Sequence, residues 1–142
     1  MKSKIFFLLV LLFALSTYNL YSQRASGPWS TYNSIYDVNT VETIFGQVRS
    51  VDKMYSSNNM SYGFHMTVYT TTGDISVHLG PGWFIENQVI QIYKDDNVTI
   101  KGSRVTYEGS NVIIAKEVIK EGQVLMLRDD NGYPLWSGRR VK

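Results

Sequence analysis

The 142-residue chain contains no cysteine. This absence excludes disulfide bonds, thiolate metal sites, covalently attached haem and a lipid anchor on a processed N-terminal cysteine. Histidine is scarce too, with two residues, so any imidazole metal site must be built around this pair. A chain without disulfides must be held together by the burial of apolar side chains.

An excess of charge of one sign is also missing. The chain has 14 Lys and Arg against 12 Asp and Glu, and Lys2 and Lys4 account for the whole difference. Residues 23–142 are therefore neutral when the histidines are neutral. Such a domain lacks the basic surface that binds nucleic-acid phosphates, and we do not expect nucleic acid as a partner.

The long hydrophobic run is confined to the N-terminus. Ile5 to Leu15 is apolar, Lys2 and Lys4 precede it, and a polar stretch follows up to Gln23. The run is shorter than the ~20 residues of a membrane-spanning helix, and the pattern is typical of a signal peptide. We predict a signal peptide over 1–22, export to the periplasm or the exterior, and no membrane span in the mature chain. An uncleaved N-terminal anchor is the alternative.

The mature chain divides into three parts. Residues 23–40 are rich in Ser, Asn, Gly and Tyr, which predicts a flexible lead-in with Trp29 or Tyr36 against the domain surface. Residues 41–137 carry the alternating pattern of one domain. Residues 138–142 form a basic tail.

The alternation of apolar and polar residues predicts five strands and one short helix. The strands are Val41–Val51, Tyr62–Thr70, Asp74–Leu79, Val98–Tyr107 and Val112–Val118, and the helix is Trp83–Gln88, after the Gly80-Pro81-Gly82 break. Breaks in the alternation predict β-bulges near Ser50 and at Gly102, and Gly46 predicts a bend in the first strand.

The element order is therefore β-β-β-α-β-β. This is the order of an OB-fold, a five-stranded partly open barrel, and we predict an all-β, OB-like fold. Asn131-Gly132 predicts an added C-terminal β-hairpin of Val124–Arg128 and Tyr133–Trp136. A seven-strand meander or sandwich is the alternative, and the helix after the third strand argues against it.

The second and third strands are predicted to form a hairpin around Thr72-Gly73. Val68 then faces Val77, and the core face carries Phe64, Met66, Val68, Ile75, Val77 and Leu79. On the other face, His78 lies opposite Thr67 and is a diagonal neighbour of His65.

Several blocks of sequence resemble a known family. They are Val77–Phe84, Val98–Val105, Val112–Val118, Leu127–Asp129 and Gly132–Trp136. Together, from about Thr40 to Ser137, they are similar to the magnetosome MamS/MamX domain. The resemblance implies an exported OB-like domain in a family linked to iron-biomineral formation. Some members carry Cys-x-x-Cys-His haem motifs. This chain has no cysteine, so an electron-transfer role is not carried over.

The two histidines are the candidate metal ligands. As diagonal neighbours, His65 and His78 are within reach of one transition-metal ion, with Asp74 or Glu86 as a third ligand. The alternative is a pair of polar residues on the outer face of the hairpin. A metal ion is therefore the only kind of cofactor that we consider for this chain.

A second candidate site is an aromatic ligand face. Tyrosines on the surfaces that OB-folds use for ligands can stack bases or sugars, and the residues are Tyr55, Tyr62, Tyr69 and Tyr107, with Arg104 beside them. Trp83 and Phe84 are instead predicted to plug one end of the barrel.

No catalytic signature is present: the sequence has neither a nucleophile motif nor a phosphate-binding glycine loop. We therefore expect a non-enzymatic, exported OB-like binding or scaffold module whose partner is an envelope protein or a small ligand. A metal (iron)-handling or redox accessory protein is the first alternative. Single-stranded nucleic-acid or oligosaccharide binding is the second.

Overall fold

A computed structural model describes residues 28–57 and 59–138. The chain begins with helix α1, Pro28–Ile35, and a 3-10 turn, Val38–Thr40. The strands are β1 Val41–Tyr55, β2 Tyr62–Thr70, β3 Gly73–Pro81, β4 Asn97–Tyr107, β5 Ser110–Lys120 and β6 Gln123–Met126. Helix α2, Gly82–Glu86, lies between β3 and β4, and a 3-10 turn, Leu135–Ser137, follows β6.

The six strands form one sheet in the order β3-β2-β1-β4-β5-β6. A further parallel pairing joins β3 to β5 over three residue pairs, Ser76–Val112 to His78–Ile114. The first five strands are thus paired in the cyclic order β1-β2-β3-β5-β4-β1. The pairing between β3 and β5, which joins the two edges of this part of the sheet, is short. The predicted all-β class, with one short helix between the third and fourth strands, is confirmed.

The core lies inside this curved sheet. Alternate residues of each strand point inward because successive side chains of a strand lie on opposite faces. Fully buried members are Val48, Met66, Val68, Val77, Ile100, Ile113, Val118 and Leu127. Since β2 and β3 contribute the predicted apolar face, the inward assignment of these two strands is confirmed.

Two irregularities bend the sheet where the alternation of the sequence predicts them. The β1–β2 register shifts between Val48 and Ser50, and the β4–β5 register shifts between Lys101 and Gly102. A Cβ atom at Gly46 would collide with the backbone carbonyl of Tyr69. Glycine is therefore required where β1 passes close to β2.

The predicted β2–β3 register is wrong by two residues. Val68 lies opposite Ile75, not Val77, and Thr70 pairs with Gly73, so the turn is centred on Thr71 and Thr72. From His65 to Thr70 the slip is two residues, which keeps these side chains on their predicted faces because the side-chain period of a strand is two. The slip places His65 directly opposite His78. The register shifts once more between Phe64 and His65.

The lead-in is largely helical where the structure describes it. Its described part, residues 28–40, is the α1 helix and the 3-10 turn, and it contributes a buried side chain, Tyr32, 2% exposed. The Asp37 N–H donates to Ser103 Oγ over 3.0 Å, which ties this segment to β4. The predicted signal peptide, residues 23–27 and 139–142 of the basic tail lie outside the described residues.

Helix α2 packs at one end of the curved sheet, and one of its two predicted aromatic residues, Phe84, contacts the core. Ile85 enters the core, and Phe84 packs on Trp136 with ring centroids 5.3 Å apart. Trp83 is 60% exposed, so its prediction as part of the plug is wrong. On a five-residue helix neighbouring side chains point in different directions, and one of two adjacent aromatic residues must face outward.

The predicted C-terminal hairpin is reduced to a single bridge, Arg128–Pro134, after which the chain turns into the 3-10 helix. Val124 to Met126 instead pair with β5. Within the described ranges, no helix is long and apolar enough to cross a membrane.

Candidate functional site

The two predicted histidines lie directly opposite each other on neighbouring strands. His65 on β2 and His78 on β3 are cross-strand partners, with ring centroids 5.9 Å apart and ring planes at 30°. The Nδ1 atoms of both rings are buried, and neither has a hydrogen-bond partner in the described chain. A buried polar nitrogen without a partner is costly to a fold, which makes this pair a candidate site.

Aromatic residues enclose the pair. Tyr32 of α1 and Tyr107 of β4 both contact the His78 ring, with centroids 5.1 and 5.6 Å away. Burial, with a smaller effect from the neighbouring His65, lowers the pKa of His78 to about 4. Burial and a hydrogen bond with Tyr107 raise the pKa of Tyr32. At neutral pH, His78 is uncharged and Tyr32 is protonated.

The predicted third ligands do not join the histidines. Asp74 accepts from Arg49 Nε over 2.8 Å, and Glu86 accepts from the Tyr62 hydroxyl over 2.7 Å. No group of three or more His, Cys, Asp or Glu side chains suited to a metal ion occurs in residues 28–57 and 59–138.

The predicted aromatic ligand face is divided among separate places. Tyr55 and Tyr62 contact each other beside α2, with centroids 5.8 Å apart, and Lys53 Nζ lies 4.4 Å from the Tyr62 ring centre. Tyr107 instead contacts the ring of His78. The remaining two predicted residues, Tyr69 and Arg104, each line a different cleft at the far end of the barrel.

These two clefts adjoin and share Phe45, Thr70 and Thr71. Their volumes are about 580 and 510 Å³. We call the pair the Phe45 groove, after an aromatic side chain on the outer face of β1 that is 70% exposed. The lining of the larger cleft combines two aromatic rings with side-chain amides and hydroxyls: Phe45, Tyr69, Gln47, Thr70, Thr71, Asn97 and Thr99.

Ion pairs hold the rims of the Phe45 groove. Arg49 lies over the Tyr69 ring, 4.4 Å from its centre, and pairs with Asp74. Arg104 donates to Glu42 from Nε and Nη2, and this hydrogen bond lowers the pKa of Glu42. Because both arginines have carboxylate partners, the groove offers no unneutralised cation for a phosphate.

Phe45 is a site residue that sequence reasoning missed. Its signal is nevertheless in the sequence, since Ile44, Gly46 and Val48 point inward and a phenylalanine between them must face outward. Single exposed apolar residues are common on protein surfaces, and Phe45 is a candidate site residue because it lines two adjoining clefts.

Arg128 is a buried charged residue that the sequence analysis also did not identify. Its side chain is 1% exposed and lies between the rings of Tyr36 and Trp136, each 5.1 Å from the guanidinium carbon. Nη1 donates to Asn33 and to the Gly132 carbonyl, both over 3.0 Å. Burial lowers the pKa of Arg128 to about 10. This cation joins the lead-in to the C-terminal loop without a carboxylate partner in the described chain.

Comparisons with known proteins identify one matching family model. No curated protein matches significantly, and no solved structure does. The model of the MamS/MamX magnetosome protein family matches residues 40–125, which is more than half of the chain and extends from the start of β1 into β6. The resemblance carried by the sequence blocks is confirmed, and this chain belongs to the MamS/MamX magnetosome protein family.

Proposed function

We propose that this chain is an exported, non-enzymatic binding module of the bacterial envelope, and that the Phe45 groove is its binding site. The observation that carries the proposal is the exposed pair of aromatic rings, Phe45 and Tyr69, in a cleft lined by amides and hydroxyls. Rings of this kind stack on flat apolar ligand faces, and the polar side chains provide hydrogen bonds.

The lining favours an uncharged ligand. Glu121 is the charged side chain in the lining of the larger cleft. The charged side chains that line the smaller cleft, Glu42, Asp74 and Arg104, are all held in ion pairs. A nucleic acid requires Lys or Arg along its path, since phosphate contacts dominate that affinity. A sugar chain requires aromatic faces with hydroxyl and amide partners, and the groove supplies both. We therefore favour an oligosaccharide over a single-stranded nucleic acid.

The test is equilibrium binding to soluble hexasaccharides of chito-, cello- and malto-type, measured by calorimetry. We expect binding of at least one of them, and we expect Phe45→Ala and Tyr69→Ala to weaken it tenfold or more. Trp83→Ala, which removes an exposed aromatic ring outside the groove, should change it less than twofold. Binding of oligothymidine at low salt but of no sugar would overturn the proposal.

A second candidate, a metal-handling accessory protein, is favoured by the facing imidazoles of His65 and His78. It is tested by thermal melts of untagged protein with Zn²⁺, Ni²⁺, Cu²⁺ or Fe²⁺, since an ion that binds only the folded state raises the midpoint. A rise that is lost in His78→Gln supports it. The absence of a rise with every ion, Cu(I) included, dismisses it.

A further inference from the structure

The two facing histidine residues have a methionine, Met54, in their neighbourhood. Tyr32, whose ring contacts His78, has its hydroxyl 4.0 Å from the sulfur of Met54. Met54 therefore lies beside the same enclosed cluster, which we call the histidine pocket: His65, His78, Tyr32, Tyr107 and Met54.

The strand register supports this placement. Asp52 of β1 pairs with His65, and Met54, two residues further along, pairs with Gly63. Residues two apart on a strand share a face, so Met54 projects from the face that carries His65. Its direct partner is a glycine, which has no side chain, and Met54 is thus a diagonal neighbour of His65, at a separation that a long side chain can cross.

The distance between the imidazoles suits one shared ion. With metal–nitrogen bonds of about 2 Å, two imidazoles that bind the same ion have ring centres roughly 5–6 Å apart for angles between tetrahedral and nearly linear. The observed separation is 5.9 Å. Both Nδ1 atoms are buried without partners, so each ring has a nitrogen that is not engaged elsewhere in the described chain.

We propose that His65, His78 and Met54 form a site for a soft monovalent cation, Cu(I). This inference rests on the metal-handling candidate and states its ion. A thioether is a soft ligand that selects Cu(I), and hard cations prefer carboxylates. Three carboxylates on these strands and on α2 are engaged elsewhere: Asp52 with Ser50, Asp74 with Arg49 and Glu86 with Tyr62.

The surroundings agree with this ion. Tyr32 and His78 are 2% and 5% exposed, so the pocket is closed to water on the His78 side, and His65, Met54 and Tyr107 are half-buried. The cost of burying an ion without anionic ligands rises with its charge, which favours a monovalent ion over a divalent one.

The test is anaerobic competition of the untagged protein with bicinchoninate for Cu(I) added as its acetonitrile complex. We expect one Cu(I) per chain. His65→Gln and His78→Gln should each weaken binding at least 100-fold and Met54→Leu at least tenfold. Met126→Leu, on the distant strand β6, is the matched control and should bind like the unaltered chain.

X-ray absorption of the copper-loaded, unaltered chain provides a readout that requires no variant to fold. We expect one sulfur and two nitrogen ligands. A nitrogen-only spectrum, or equal affinity of Met54→Leu and Met126→Leu, overturns the Cu(I) site while leaving a two-histidine metal function in place. Failure to take Cu(I) from bicinchoninate overturns the Cu(I) site, and the divalent-ion melts then decide the broader function.

Discussion

His65 and His78 lie opposite each other across the β2–β3 pairing, with ring centres 5.9 Å apart and both Nδ1 atoms buried without partners in the described chain. Two polar rings in such a position on an outer sheet face are normally solvated. Here α1 brings Tyr32 over His78, and the pair becomes an enclosed cluster. The stability of the domain is therefore linked to the protonation of His78.

Acid should weaken the metal-free protein through His78. Its pKa is about 4 in the folded chain against 6.5 ordinarily, so the unfolded chain takes up the proton first as the pH falls. Stability is lost between about pH 6.5 and pH 4, by about 3 kcal/mol. Urea unfolding in EDTA should show this extra loss relative to His78→Gln. Parallel pH profiles for the two proteins would contradict the account.

Arg128 should be a major contributor to stability and Arg49 a minor one, although each lies against a tyrosine ring. Arg128→Ala removes a buried guanidinium, its two hydrogen bonds from Nη1 and its packing on Trp136, and we expect a loss of about 3 kcal/mol. Arg49→Ala removes an exposed ion pair that contributes about 1 kcal/mol or less. Chemical denaturation of the two variants checks this, and equal losses would show that Arg128 is not buried as described.

Gly102→Ala should destabilise the barrel at its bulge. The added Cβ would lie 2.7 Å from Ile113 Cγ2 and 3.0 Å from Ala115 Cα, and it would also collide with the Ile114 carbonyl. Overpacking of this kind costs about 1–3 kcal/mol. Gly122→Asn is the control: its φ of +77° suits asparagine, nothing lies within 4 Å of the new Cβ, and we expect less than about 1 kcal/mol. Thermal melts that rank the two variants in the opposite order would refute the packing argument.

Two adjacent aromatic residues on α2 should behave differently. Phe84 packs on Trp136 and the core, so Phe84→Ala should cost about 3 kcal/mol. Trp83 is 60% exposed, and Trp83→Ala should cost less than about 1 kcal/mol. Urea midpoints measure both. If Trp83→Ala were the more damaging change, the plug predicted from the sequence would be right after all.

Much of the barrel is predictable from local pattern. Strand faces follow from the alternation, and the irregularities near Ser50 and at Gly102 follow from breaks in it, because an odd slip would turn a buried face outward. The third irregularity, between Phe64 and His65, is not marked by such a break. The turn was misplaced because Thr70 holds it: its hydroxyl donates to the Gly73 carbonyl over 2.8 Å, which centres the turn on Thr71-Thr72. Glycine is a stronger turn signal than threonine, so the sequence alone predicts the turn at Thr72-Gly73.

The site was less predictable because it depends on contacts between distant segments. Tyr32 and His78 meet only when α1 lies on the outer sheet face, and the polar composition of the lead-in conceals that helix. Pro28 at its first position was an available signal, since proline favours that position. Tyrosines on strands can be identified from the sequence, but strand order alone does not tell which end of a barrel each occupies. Tyr62 and Tyr69 lie on one strand and belong to different sites.

The central claim is that the Phe45 groove is the binding site of this module. Backbone amide chemical shifts of ¹⁵N-labelled protein, recorded during titration with the hexasaccharide that binds best, test it most directly. The account predicts that the largest changes fall on Phe45, Tyr69, Thr70 and Thr71, with little change at Trp83. Changes centred on Trp83 and Tyr62 at the α2 end, or no saturable change with any of the sugars, would contradict it.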